Sequence, residues 1–207
     1  MASSSDADND AGGAEEVAAN VAGNARLTGM LGAVIFVLLF VEGLTILSVD
    51  RLMWLHAFVG MLLVAFAGAK IGTTSYRFAR YYRGQGEYVR KGPPPIVLRI
   101  LGPVVTATTV AVLATGIGTL LVRRSHWLGL AHKASFIVWF GAMSLHVLGH
   151  ALETPALALA DGHRNRRTEA PGAATRIAVL VAVTVAGVGL AVLSLRWVQH
   201  WHHVHPL

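Results

Sequence analysis

The chain has 207 residues and no cysteine, and 54% of its residues are hydrophobic while 14% are charged. This balance excludes an ordinary soluble domain, and the lack of cysteine excludes disulfides, iron–sulfur clusters and thiolate metal sites. The net charge of +6 does not indicate nucleic-acid binding, because the basic residues cluster in loops between long apolar segments. We therefore predict a protein that is integral to a membrane.

The N-terminal segment 1–24 is small, polar and acidic, and it shows no apolar periodicity. A segment of this composition cannot bury enough apolar surface to offset the entropy of ordering, so it predicts a disordered tail on the cytoplasmic side. It lacks the positively charged start of a secretory signal, and the first apolar stretch is long enough to stay in the membrane.

Five apolar stretches follow the tail, and each approaches the ~20 residues needed to cross the hydrocarbon of a bilayer. They lie at about 27–49, 52–75, 100–122, 127–151 and 177–195. The sequence thus predicts an all-α fold, a transmembrane bundle of five helices over 25–199 in which the first four form a cofactor-binding core. The fifth stretch has no ionisable residue, so we expect it to pack against the core or a second copy of the chain.

Basic residues in two loops set the predicted orientation. They lie after the second span, at Arg77, Arg80, Arg83, Arg90, Lys91 and Arg99, and before the fifth, at Arg164, Arg166, Arg167 and Arg176. The positive-inside rule places both loops in the cytoplasm. We expect a multi-pass protein of the plasma membrane with its N-terminus inside and its C-terminus outside.

The second and fourth spans carry polar residues at matching depths. Both spans run from outside to inside, and the depths of His56 and His132 differ by about 4.5 Å at ~1.5 Å per residue. Lys70 and His146 share a deeper level, each fourteen residues after the outer histidine of its own span. Fourteen residues cover about 21 Å and return to within about 40° of the same helix face. We expect His56 to face His132, and Lys70 to face His146.

Haem ligation would account for histidines at these positions. A neutral imidazole is a good axial ligand for haem iron, and two of them on facing helices can clamp the macrocycle. Ionisable residues inside a membrane are functional by default. The fourteen-residue interval would accommodate two stacked haems. Small residues such as Gly60, Gly116 and Gly141 would allow close approach, although ordinary helix packing uses small residues as often.

Three stretches resemble membrane-bound b-type cytochromes, including cytochrome b561-like and related respiratory cytochrome b proteins of bacteria. They read "LHAFVGMLLVAFAGAKIGTTSYRFARYYRG", "KGPPPIVLRILGP" and "HKASFIVWFGAMSLHVLGH", and the resemblance covers about residues 27–153. It implies a helical bundle that holds one or two b-type haems between histidines such as His56, His132 and His146. It also implies electron transfer between a quinol and a redox partner protein. Lys70 stands where a two-haem bundle of this kind has a second histidine.

The inner level therefore has three interpretations. Lys70 can lose its proton on desolvation and ligate iron opposite His146. Alternatively, Lys70 extends its ammonium group to the cytoplasmic surface and binds no cofactor. In the third interpretation His150, eighteen residues after His132 and on the same stripe, replaces His146 as the inner ligand.

Other polar residues leave further interpretations open. Glu42 is the one acid well inside a span, and it predicts either a proton or quinol role or a protonated carboxyl held by a neighbouring helix. The terminal histidines in 200–207 form an outer tail that either binds zinc or copper or is only a mobile end. Two other functions compete with the cytochrome: a haem-free proton or metal-ion transporter, and a structural subunit that anchors a partner enzyme.

Overall fold

The computed structural model describes residues 4–90, 96–122, 125–150, 153–160 and 170–202, and these residues form helices and short turns. The helices are α1 (Ser4–Ile46), α2 (Val49–Tyr82), α3 (Gly86–Arg90), α4 (Ile96–Leu121), α5 (His126–His150), α6 (Glu153–Leu159) and α7 (Ala173–His202). By length and apolar composition, five of them can cross a membrane: α1, α2, α4, α5 and α7. The predicted all-α fold with five transmembrane helices is confirmed.

The first helix is longer than its apolar part. α1 begins at Ser4, so residues 4–24 are helical where the sequence predicts a disordered tail. Alanine recurs through this segment and favours helix, while Asp6, Asp8 and Asp10 place negative charge at the positive end of the helix dipole. The part of α1 that is suited to a membrane runs over Ala18–Ile46.

The second helix is the central element of the bundle. α2 has 34 residues, about 51 Å of helix, so it is longer than a typical hydrocarbon layer. A kink at Leu52, with φ −109° and ψ 18°, follows the turn from α1. The chain leaves α2 through Gly84, whose φ of 73° is a left-handed conformation that glycine adopts without strain.

Helix packing divides the bundle into two groups. α2 packs along α1 and α7, and α4 packs along α5, whereas close backbone approaches between these two groups are few. α7 comes close to α2 at Gly187, where a Cβ atom would lie 3.0 Å from Leu62 Cδ2 and 3.2 Å from Ala65 Cβ. The fifth span thus packs against the core, which is one of the two positions that the sequence predicts.

The outer surface of the bundle is strongly apolar. Phe40 is 65% exposed, Trp127 74% and Leu148 77%. In water, exposure of so many large apolar side chains would indicate a binding surface, but on helices of this length it is the surface expected to face lipid. We conclude that this is a multi-pass membrane protein.

The bundle has two different ends. The short α1–α2 and α4–α5 connections lie at one end, which we call the turn end, and α3 and α6 lie at the opposite end, the loop end. α6 packs closely on α1, since a Cβ atom on Gly29 would lie 2.7 Å from Leu157 Cβ.

Some residues that the sequence singles out lie outside the described ranges. They are Lys91, Arg164, Arg166 and Arg167 of the basic loops, and His203 and His205 of the terminal histidine run.

Candidate functional site

A polar site lies near the turn end, between helices of the two groups. His56 is near the start of α2 and His132 is near the start of α5. Their ring centroids are 6.3 Å apart and the ring planes are inclined by 74°. The structure therefore brings together the two histidines whose matched depths predict that they face each other.

The Nδ1 atom of His56 is held by two side chains of α1. Glu42 Oε1 lies 3.1 Å from it, and Thr45 Oγ1 lies 3.0 Å from it. The Thr45 hydroxyl donates its own proton to the backbone oxygen of Glu42, at 2.6 Å, so its oxygen is left to accept. These contacts favour the tautomer of His56 that is protonated on Nδ1 and has its lone pair on Nε2.

His132 is held in the same way by α4. Its Nδ1 atom lies 3.1 Å from the backbone oxygen of Val112 and 3.3 Å from Thr115 Oγ1. Because a carbonyl oxygen can only accept, Nδ1 of His132 must carry the proton. Thr115 also contacts Ser135 on α5, with 3.1 Å between the two hydroxyl oxygens.

Both histidines thus have the tautomer of a metal ligand. Neither Nε2 atom makes a hydrogen bond to the part of the chain that the structure describes. A histidine that ligates a metal almost always donates its other ring N–H to a carboxylate or a backbone carbonyl, which fixes the ring and raises the basicity of the ligating nitrogen. His56 has a carboxyl partner and His132 a carbonyl partner.

Close packing of α4 and α5 depends on a glycine beside His132. A Cβ atom on Gly116 would lie 3.0 Å from His132 Cε1 and 3.4 Å from its Nδ1. Any larger residue at this position would push the ring away from Val112. Gly116 therefore has a specific role among the small residues that the sequence suggested for close approach.

The two facing imidazoles are a donor set that fits a haem. Among the residues described, no group of three or more His, Asp or Glu side chains comes together to hold a metal ion, whereas a zinc site needs three or four protein ligands. A haem brings four nitrogens of its own and needs protein ligands on its axis alone. His56 and His132 are the two residues that would hold such a group.

The cluster nearer the loop end is organised differently. Lys70 Nζ donates to the backbone oxygen of Thr28 on α1, at 3.0 Å. Thr28 Oγ1 and Thr73 Oγ1 are 3.1 Å apart, and Asn24 Nδ2 donates to the Thr73 oxygen at 3.4 Å. Lys70 therefore has a partner on α1 that the sequence did not suggest.

His146 and His150 lie together on α5, with ring centroids 4.8 Å apart. Among the described residues, Lys70 hydrogen-bonds to Thr28 on α1 rather than to His146. The Nδ1 atom of His146 is buried and has no hydrogen-bond partner among the described residues. No contact fixes the tautomer of His146 as those at the turn end fix the tautomers of His56 and His132.

Comparisons of the chain with protein-family models, with curated proteins and with solved structures found no match. Function is therefore inferred from the residues and their geometry. Sequence reasoning predicted that His56 faces His132, but it did not predict the contact between Glu42 and His56, and it missed Thr45, Thr115 and the Val112 carbonyl. A threonine in a transmembrane helix gives little indication of its partner, and a backbone carbonyl gives none.

Proposed function

We propose that this protein is a membrane b-type cytochrome that holds a haem between α2 and α5, with His56 and His132 as the axial ligands. The observation that carries the proposal is that each Nδ1 atom faces an oxygen atom on a neighbouring helix. Each Nδ1 atom donates to an acceptor on a neighbouring helix, which leaves two Nε2 lone pairs on rings whose centroids are 6.3 Å apart. Two such nitrogens are the donor set for a haem with two histidine ligands.

The residues of the chain have distinct tasks in this proposal. A bound haem supplies one-electron iron chemistry. His56 and His132 bind it, while Thr45 and Glu42 on α1 and Val112 on α4 orient the two rings. The apolar helices exclude water from the site, and the scarcity of backbone contact between α2 and α5 is consistent with a planar group between them.

The position of the site suggests electron transfer near one membrane surface. His56 and His132 both lie near the turn end, so the haem would exchange electrons with a quinol in the membrane and with a redox partner protein at that surface. Arg77, Arg80 and Arg99 lie toward the loop end, and the positive-inside rule then places the loop end in the cytoplasm. The haem would lie near the outer face of the plasma membrane.

We propose one haem for each chain. At the loop end, Lys70 donates to Thr28 and His146 Nδ1 has no partner among the described residues, so neither has the support of a typical metal ligand. A second haem, held by His146 or His150 with or without Lys70, would double the haem content.

A second candidate function is a haem-free proton path. It is favoured by the contacts that run from Glu42 to His56 on one side and from His132 through Thr115 to Ser135 on the other. Such a path needs no cofactor, so a preparation that contains haem at the turn end would exclude it.

The visible spectrum of the purified protein tests the proposal. The protein is expressed in haem-replete cells, purified in detergent and measured before and after reduction with dithionite. We expect the spectrum of a six-coordinate b-type cytochrome and one haem for each chain by chemical quantitation. A colourless preparation would overturn the cytochrome and favour the proton path.

A further inference from the structure

The two proposed haem ligands differ in one respect, which is the charge that their Nδ1 partners can carry. His132 donates to a neutral backbone carbonyl, whereas His56 lies 3.1 Å from a carboxyl oxygen of Glu42. A carboxyl group can carry a negative charge, and hydrogen bonds to an ionised group are about twice as strong as those between neutral groups. His56 is therefore the ring whose electron density depends on an acidic side chain.

The surroundings of Glu42 indicate that its carboxyl group serves His56. Among the described residues, Glu42 Oε1 lies 3.1 Å from His56 Nδ1. The second carboxyl oxygen, Oε2, is buried without a hydrogen-bond partner among those residues. A buried polar atom without a partner costs free energy, so the position of this carboxyl group beside His56 needs a reason.

Local packing holds the carboxyl group against the histidine. Thr45, on the next turn of α1, is 1% exposed and contacts the same Nδ1 atom. On α2, a Cβ atom on Gly60 would lie 3.4 Å from Glu42 Oε1, an ordinary van der Waals distance, so α2 lies directly against the carboxyl group. The side chains of α1 thus form a rigid support for one face of the site.

We propose that Glu42 is a positioning residue that orients His56 and polarises its ring, and that it thereby sets the reduction potential of the haem. This inference rests on the proposed function. A strong acceptor at Nδ1 makes Nε2 a better electron donor, which stabilises the oxidised iron and lowers the potential. Glu42 acts in this way only through its hydrogen bond to His56, and it does not itself take part in electron transfer.

Two variants of Glu42 and one control test the inference on the full-length protein in detergent. Glu42→Gln keeps the size of the side chain but offers a weaker acceptor, and Glu42→Asp keeps the carboxyl but draws it back from Nδ1. Asp50→Asn removes an exposed acid near the same end of the bundle that makes no contact with either histidine. The measurements are the reduction potential, the haem affinity and the electron paramagnetic resonance spectrum of the oxidised protein, which reports ligand orientation.

We expect Glu42→Gln to favour the reduced haem by roughly tenfold, which is about 59 mV for a one-electron couple. Its haem affinity should fall by about 10- to 100-fold, as for other groups that orient metal ligands. Glu42→Asp should shift the potential in the same direction by less, and Asp50→Asn should leave it unchanged.

A potential in Glu42→Gln that is equal to that of the wild type would overturn the inference, and so would an equal shift in Asp50→Asn. If Glu42→Gln does not accumulate, Glu42→Asp decides the matter by the same comparison. A wild-type protein that binds no haem would instead overturn the proposed function, so the two failures are distinguishable.

Discussion

The turn end and the loop end of the bundle place similar residues at matching depths, but among the described residues the contacts behind those side chains differ. At the turn end, α1 and α4 each supply an acceptor that fixes the Nδ1 proton of one histidine. At the loop end, α1 instead accepts a hydrogen bond from Lys70 itself, and His146 Nδ1 has no partner among the described residues. A shared depth on facing helices brings two side chains together, but the contact behind each ring determines whether it presents a lone pair.

The largest expected effect comes from removing one turn-end ligand. His56→Ala should strongly lower the haem content, because one of the two axial histidines is lost. Haem quantitation on the purified variant measures this loss. Imidazole added to the buffer should restore part of the haem content if the side chain acts only as a ligand, and full haem content in His56→Ala without imidazole would refute the pairing with His132.

The next effect concerns the glycine behind His132. Gly116→Val should lower haem affinity by about 10- to 100-fold, since its side chain would displace the ring from the Val112 carbonyl. Gly102→Val is the matched control on the same helix, because a Cβ atom there meets nothing within 4 Å. Haem transfer to a competing apoprotein gives the two affinities. An equal loss of haem affinity in both variants would mean that added bulk anywhere on α4 weakens binding, and that the contact with His132 is not the cause.

A smaller effect is expected where α7 packs against α2. Gly187→Val should lower the stability of the bundle by about 1–3 kcal/mol, the usual cost of overpacking, because Leu62 and Ala65 lie against the glycine. Gly189→Val is the control, because it lies two residues away on α7 and a Cβ atom there meets nothing within 4 Å. Thermal unfolding in detergent measures the difference, and an unchanged midpoint for Gly187→Val would contradict the close packing. The visible spectrum of the folded variant should not change.

The smallest effect is predicted at the loop end. Lys70→Met should leave the haem content at the wild-type value and cost on the order of 1 kcal/mol of stability, through loss of the hydrogen bond to Thr28. Haem quantitation and unfolding in detergent are measured on the same samples. If the variant loses a haem, Lys70 is a ligand, and both ends of the bundle hold a haem.

The fold was predictable because the hydrocarbon thickness of a bilayer dictates the length of each apolar stretch. The contact between His56 and His132 was predictable for a related reason. The second and fourth spans run in the same direction, so the number of residues from the start of each span gives the depth of its histidine in the membrane. The two depths are similar. α1 was not predicted to begin at Ser4, because polar residues interrupt its alanine-rich start.

The atoms that distinguish the two ends could not be read from the sequence. The Val112 carbonyl accepts a hydrogen bond from His132, and the Thr28 carbonyl accepts one from Lys70. Every residue has the same backbone carbonyl group, so the sequence does not show which one will be used. Which carbonyl a side chain reaches depends on the rotation of one helix against another. Gly116 was noticed as a small residue, but its role required the position of the His132 ring.

The haem content of three proteins, compared side by side, tests the central claim most directly: the wild type, His132→Ala and His146→Ala. The account predicts one haem for each chain in the wild type, none in His132→Ala and one in His146→Ala. A wild type without haem would contradict it, and so would a His146→Ala variant that loses haem as completely as His132→Ala.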